Sequence, residues 1–194
     1  AASEGYKRQA AGDRVPARLL SPPARRRSGS AVLVVSPDGT DALIGDTLSG
    51  AYPPLVESLL EAGHLVLSVD CWGTGRAQLP DGHADAVART RFYLTYNRSD
   101  DANRVQDILT GLGYLRSRAG AGSLCLLGLG RAGLWTILAR TQAPFVDRTI
   151  ADLDRFPADR DDAYASRLFV PGLRSIGGIE TALALVAPGA LCLY

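Results

Sequence analysis

The sequence lacks methionine and contains only three cysteines, two histidines and one lysine among its 194 residues. Three cysteines are too few for a disulfide scaffold, and their spacing does not match that of a zinc site. No run of 18 apolar residues is present, so the sequence predicts no membrane span. Because the first residue is not methionine and no secretion signal is visible, we expect a processed chain, a domain or a fragment.

Disorder is excluded by composition, because 46% of the residues are hydrophobic and the formal net charge is only +1. A chain of this length can bury a core of its own. All basic residues except Lys7 are arginine, which indicates a compositional bias and does not predict nucleic-acid binding. The run Arg25–Arg27 is compatible with an acidic partner or with a solvated loop.

Strand and helix patterns alternate along most of the chain. Strands are predicted at 14–20, 31–36, 64–70, 123–127, 149–153 and 190–194, and helices at 53–62, 101–118, 133–141 and 179–186. This alternation predicts a three-layer α/β fold with a mainly parallel sheet and helices on both faces. The strands at 31–36, 65–69, 123–127 and 149–153 should be adjacent and central, because their continuous apolar runs need cover on both sides.

Other segments mark the organisation of the chain. Residues 1–12 are expected to be disordered or extended, and 13–194 to form a single domain. The strand at 14–20 should lie at an edge of the sheet. Residues 71–100 contain no clear element and are predicted to be an excursion with a functional or lid role.

The sharpest motif, Gly128-Leu129-Gly130-Arg131-Ala132-Gly133, lies between a buried strand and a helix. One interpretation is a dinucleotide fingerprint for NAD or FAD, with Gly128, Gly130 and Gly133 at the pyrophosphate and Asp152 or Asp154 at a ribose hydroxyl. Another is a nucleophile elbow of the type G-x-S-x-G in which Gly130 occupies the serine position. A tight turn without any ligand is the third.

Two loops that precede this motif favour the elbow. One strand ends in Ser36-Pro37-Asp38-Gly39, and the next in Asp70-Cys71-Trp72-Gly73-Thr74-Gly75, before the long excursion. In this arrangement residues 14–194 resemble the α/β-hydrolase superfamily, in particular its acetyl-xylan-esterase and dienelactone-hydrolase-like branch. The resemblance implies that the usual last strand and its histidine loop are absent.

The resemblance also implies roles for single residues. The nucleophile position is Gly130, which has no side chain to acylate, and the acid would be Asp152 or Asp154. His83 on the excursion is the weak candidate for the base, because no histidine follows the elbow. We expect a backbone conformation at Gly130 that is costly for any residue with a Cβ atom.

Backbone donors of an oxyanion hole can persist without a nucleophile. The resemblance assigns them to the N–H of Arg131 and to that of Gly39 or Thr40. Such a site next to a helix N-terminus suits a small carboxylate or ester.

Together these observations predict an esterase-like domain without conventional Ser-His-Asp catalysis, which serves as a structural or binding domain of a larger protein. The alternative is a Rossmann-like dinucleotide-binding domain using NAD or FAD. We expect no metal and no nucleic-acid partner. An unpaired last strand makes a homodimer or the rest of a longer chain the expected partner. The compartment stays open, and export is compatible with the sequence.

Overall fold

A computed structural model describes residues 2–8, 14–45, 52–119 and 122–194. In these residues one sheet is flanked by helices. Its strands are Ala2–Arg8 (β1), Arg14–Leu20 (β2), Ala31–Val35 (β3), Leu65–Val69 (β4), Leu124–Gly128 (β5), Arg148–Ala151 (β6) and Ala190–Leu193 (β7). The helices are Thr40–Ile44 (α1), Pro54–Glu61 (α2), His83–Arg89 (α3), Tyr93–Tyr96 (α4), Asp100–Ala119 (α5), Ala132–Gln142 (α6), Asp161–Ser166 (α7) and Gly178–Val186 (α8).

The strands follow the order β1-β2-β4-β3-β5-β6-β7. All pairings from β4 to β7 are parallel, whereas β1 and β2 run antiparallel to their neighbours. This arrangement confirms the mainly parallel α/β fold. It also confirms that the four strands expected at the centre, β4, β3, β5 and β6, are adjacent and central.

The edge of the sheet differs from the prediction. The strand Arg14–Leu20 is not an edge strand, because β1 pairs along its whole length. Residues 2–8, expected to be disordered or extended, form that outer strand, and the rest of 1–12 lies outside the described residues. A strand at the rim of a sheet does not need a long apolar run, so its polar, glycine-containing sequence gave no signal.

Alternation along β3 explains how the sheet divides two cores. Leu33 and Val35 pack in the larger core with side chains of α5, α6 and α8, whereas Val32 and Val34 pack in a smaller core with side chains of α1 and α2. Because both faces are covered, every residue of β3 is buried. On the face of the smaller core, side chains become more exposed toward β7. Within the described residues, this face leaves Ile150 only half-buried and Cys192, beside it in register, exposed.

The excursion after β4 carries two short helices, α3 and α4, neither of which buries a residue. These two helices therefore lie at the surface and add little to the core. The helices α1 and α7 are further elements that the sequence patterns did not indicate. None of the described helices combines the length and the apolar character that crossing a membrane would need.

Candidate functional site

The turn between β5 and α6 is sharp. Leu129 donates its N–H to the Val35 carbonyl of neighbouring β3 at 3.0 Å, so sheet pairing continues to the residue before the apex. Gly130 then adopts a φ of +50°. Ala132 and Gly133 donate to the carbonyls of Leu129 and Gly130 at 3.0 and 2.9 Å. The left-handed backbone expected at Gly130 is thus confirmed, and Gly130 stands at the apex of the turn.

Glycines of this turn have two different physical roles. A Cβ atom on Gly128 would lie 2.5 Å from the Thr136 hydroxyl, and one on Gly133 would lie 1.8 Å from the Asp152 carbonyl oxygen. Both glycines are therefore required for α6 to pack against the ends of β5 and β6. A Cβ on Gly130 would meet only the Pro37 ring, at 3.7 Å. The apex consequently has room for a side chain and carries none.

Packing alone accounts for two of the three glycines in the G-x-G-x-x-G pattern. The interpretation of that pattern as an NAD or FAD site stays a prediction. Its acidic partner, Asp152, accepts the backbone N–H of Asp154 at 2.7 Å through one carboxylate oxygen.

Backbone donors at the apex come from the turn itself. In the part of the chain that the structure describes, the N–H groups of Gly130 and Arg131 have no hydrogen-bond acceptor. The donors expected at Gly39 and Thr40 already have acceptors, because Gly39 donates to the Ser36 carbonyl at 3.2 Å and Thr40 donates to the Asp70 carboxylate at 2.6 Å. An oxyanion here would have to be bound by the N–H groups of Gly130 and Arg131.

Asp70, which opens the D-x-x-G-x-G loop, holds two loops together. Its carboxylate is 1% exposed and accepts the Thr40 N–H and, at 3.3 Å, the Arg76 Nε–H. A Cβ on Gly39 would lie 2.5 Å from Gly75 Cα, and one on Gly75 would lie 2.1 Å from an Asp70 oxygen. The loop after β3 and the loop after β4 therefore interlock, and this motif supports the site without facing it.

The two candidate acids have different surroundings. Asp152 lies against the first turn of α6, because its carbonyl backs onto Gly133. Asp154, with a φ of +50°, forms an ion pair with Arg167. Within the described residues, neither carboxylate contacts a histidine.

Neither of the two histidines is paired with a candidate acid. His83 Nε2 lies 3.1 Å from the Asp100 carboxylate, and its ring meets the edge of Trp72 with centroids 6.1 Å apart. His64 immediately precedes β4, at the end of the sheet opposite the elbow. The structure therefore pairs His83 with an aspartate in the first turn of α5 and not with a residue of the elbow.

A buried carboxylate that sequence reasoning missed lies beside the elbow. Asp101 is 3% exposed and accepts hydrogen bonds from Trp135 Nε1 at 2.8 Å, Arg104 Nη1 at 2.7 Å and the Phe169 N–H at 2.6 Å. The Arg131 guanidinium lies 3.6 Å from the same carboxylate. The available signal was spacing: Asp101 and Arg104 share a face of α5, as do Arg131 and Trp135 at the start of α6.

Charges of both signs meet at the elbow, and the Arg131 guanidinium there is partly removed from water. Burial lowers the pKa of the Arg131 guanidinium, nearby Asp101 opposes this, and Arg104 and Arg167 lower it further. Arg131 Nε is buried without a hydrogen-bond partner. A negative group at this place would therefore be stabilised by Arg131 and by the N-terminus of α6.

No protein-family model and no curated protein sequence matches this chain. Among solved structures, the chain is similar over its full length to the esterase Pf2001 from Pyrococcus furiosus, with a TM-score of 0.62, 12% identity and 68% of that protein covered. It is similar over 91% of its length to a carboxyl esterase from Bacillus coagulans in complex with glycerol, with a TM-score of 0.56, 17% identity and 50% of that protein covered.

A third likeness is to Est1E from Butyrivibrio proteoclasticus with ferulic acid bound. It covers 78% of this chain and 54% of that protein, with a TM-score of 0.53 and 16% identity. The chain thus spans about half the length of the Bacillus and Butyrivibrio proteins. At these identities the likenesses bear on architecture alone. The chain has the α/β-hydrolase fold.

Proposed function

We propose that this chain is an esterase-like α/β-hydrolase domain that binds a small carboxylate or ester at the turn Gly128–Gly133 without Ser-His-Asp hydrolysis. In this role it serves as a binding or structural domain of a longer protein. One observation carries the proposal: the apex residue has the left-handed backbone and the free space of a nucleophile position, and it is Gly130.

The chemistry of acyl transfer needs a nucleophile and a base in contact. Gly130 supplies no nucleophile, and its neighbour Arg131 is a cation that cannot accept a proton. His83 is hydrogen-bonded to Asp100, and His64 lies at the far end of the sheet. At this turn a conventional acyl-enzyme has no residue on which to form.

Binding of an anion, in contrast, needs only hydrogen-bond donors and positive charge, and the turn has both. The N–H groups of Gly130 and Arg131 are unpaired within the described residues, and the Arg131 guanidinium adds positive charge. Backbone donors at the start of an eleven-residue helix favour an anion. A carboxylate oxygen fits these donors as the oxyanion of an ester-cleavage intermediate would.

Acetate is the first ligand to test, because the resemblance in sequence is to acetyl esterases and two of the similar structures described above are named esterases. The experiment is a titration of the isotope-labelled chain with sodium acetate, followed by amide NMR shifts. We expect saturable shifts of Gly130 and Arg131 that weaken about tenfold or more in Arg131→Gln. The matched control is Arg89→Gln, which removes an arginine with an 84% exposed side chain from α3.

Other outcomes would overturn the proposal. Shifts that do not saturate, or that Arg89→Gln weakens as strongly as Arg131→Gln, would mean general charge effects. Micromolar binding of NADH or FAD that is lost in Gly130→Ala would favour the dinucleotide interpretation in its place.

A further inference from the structure

A pocket lies at the end of the sheet opposite the elbow. It is a cavity of about 250 Å³ between the end of β2, the loop that follows it, the start of β4 and the last turn of α5. Arg27 and Arg118 line it, together with Ser21 and Ser30. No acidic side chain belongs to its lining. This pocket shares no residue with the elbow, so a proposal about it does not depend on the function proposed for the elbow.

The arginines of this pocket are not neutralised by carboxylates. Within the described chain, neither Arg27 nor Arg118 forms an ion pair, and the Arg118 guanidinium lies over the Tyr114 ring at 5.3 Å. Arg25 and Arg26 precede Arg27 in a single exposed turn. Other arginines of the chain, such as Arg18, pair with aspartates. Two arginines of the lining therefore carry positive charge that no carboxylate of the described chain offsets, and this charge favours an anion.

The loop that supplies Arg27 is held in place. Ser28 donates both its N–H and its hydroxyl to the Gly63 carbonyl at 3.0 Å. A Cβ on Gly63 would lie 2.0 Å from the Arg26 carbonyl oxygen, so the two turns are in close contact. Ser28 and Ser30 hydroxyls are 3.0 Å apart. A fixed loop loses less conformational entropy when it binds a ligand.

We propose that this pocket binds a small phosphate monoester, whose phosphate meets Arg27 and Arg118 and whose organic group lies on Leu19 and Leu65. Two guanidinium groups with serine hydroxyls suit a phosphate dianion, because each planar fork can give two parallel hydrogen bonds. A monoester carries about −1.5 to −2 charges near pH 7, against −1 for a carboxylate. The apolar part of the lining distinguishes a monoester from free phosphate.

Phenyl phosphate is the probe, titrated by calorimetry at low salt beside inorganic phosphate and benzoate. We expect phenyl phosphate to bind at least about tenfold more tightly than either of the others. Arg27→Gln and Arg118→Gln should each weaken it about tenfold or more, since a hydrogen bond to a charged group contributes on that scale. Arg25→Gln is the matched control, because it removes the same charge from the same loop but does not line the cavity.

Several results would overturn the proposal. Equal affinity for inorganic phosphate would exclude a role for the apolar lining, and equal affinity for benzoate would exclude a preference for the dianion. Loss of binding in Arg25→Gln as large as in Arg27→Gln would mean a diffuse charged surface. Co-sedimentation with phosphatidic acid vesicles, reduced equally by all three variants, would indicate such a surface too. All of these outcomes are separate from acetate binding at the elbow.

Discussion

A single backbone contact explains why residue 133 is a glycine. Its Cα faces the Asp152 carbonyl so closely that a Cβ would lie 1.8 Å from the oxygen. The start of α6 and the end of β6 would have to separate to admit a methyl group. Separation would also disturb the turn at Gly130, which is built on the same few residues.

Gly133→Ala is therefore expected to lower the free energy of unfolding by about 3 kcal/mol, the upper range for overpacking a well-packed interior. Gly113→Ala is the control, because nothing lies within 4 Å of its added Cβ and it lies within α5. It should stabilise the chain by about 0.5–1 kcal/mol through helix propensity. Urea unfolding measures both, and equal effects of the two variants would contradict the packing role of Gly133.

At this scale the sequence predicted the turn and the conformation of its apex but not its hydrogen bonds. A strand followed by Gly128–Gly133 and a helix is a local pattern, and a local pattern is enough to predict a turn. Whether the Thr40 N–H is free depends on Asp70, thirty residues later, which takes it at 2.6 Å. A contact of that kind exists only after the two loops have folded together.

Between elements, the Asp101 carboxylate joins α5 to α6 and to the segment that carries Phe169. It receives the Trp135 indole N–H, the Phe169 N–H and the Arg104 guanidinium. The starts of α5 and α6 and the loop at Phe169 therefore all donate hydrogen bonds to one buried carboxylate. A buried charge with all its oxygens satisfied fixes the relative positions of its partners.

Asp101→Asn is expected to cost about 3–5 kcal/mol in unfolding free energy, because it leaves the largely buried Arg104 guanidinium without its counter-charge and turns an amide donor toward other donors. Asp85→Asn removes a carboxylate that is 77% exposed and 3.9 Å from Arg89. It should change stability by no more than about 0.5 kcal/mol. Chemical denaturation compares them, and a small effect at Asp101 would contradict its anchoring role.

The helix α5 was predictable and the role of Asp101 was not. Apolar residues at helical spacing through 101–118 predict the element and its buried face. An aspartate in the first turn of a helix is ordinarily solvated, since it interacts well with the helix dipole. Its burial follows from Trp135, 34 residues away, which no periodicity connects to it.

Over the whole molecule, the two faces of the sheet are covered unequally. Helices α5, α6 and α8 bury one face, and the other becomes thinner from β3 toward β7. The alternation of strands and helices predicted the layers and the central strands, because both arise from local patterns. It did not predict β1, since a strand at the rim pairs through its backbone and needs little apolar sequence.

Cysteine reactivity tests this uneven cover. Cys192 is exposed on β7, whereas burial raises the pKa of the Cys71 and Cys125 thiols. A raised pKa leaves less thiolate at pH 8, so these two thiols should react slowly. We expect one fast equivalent with Ellman's reagent in the native chain and none in Cys192→Ser. Two fast equivalents would mean that the face over β5 is more open than the structure shows.

Hydrolysis of p-nitrophenyl acetate tests whether the elbow lacks both a nucleophile and a base. The native chain, Gly130→Ser and Gly130→Ala are compared after circular dichroism has shown that all three are folded. A correctly placed serine without a base should stay within about tenfold of the alanine variant, because general-base assistance alone contributes about 10²–10⁴-fold. We predict that the native chain does not exceed Gly130→Ala. Hydrolysis by the native chain about 100-fold above Gly130→Ala would contradict the account, and a similar gain in Gly130→Ser would identify His83 as a base within reach.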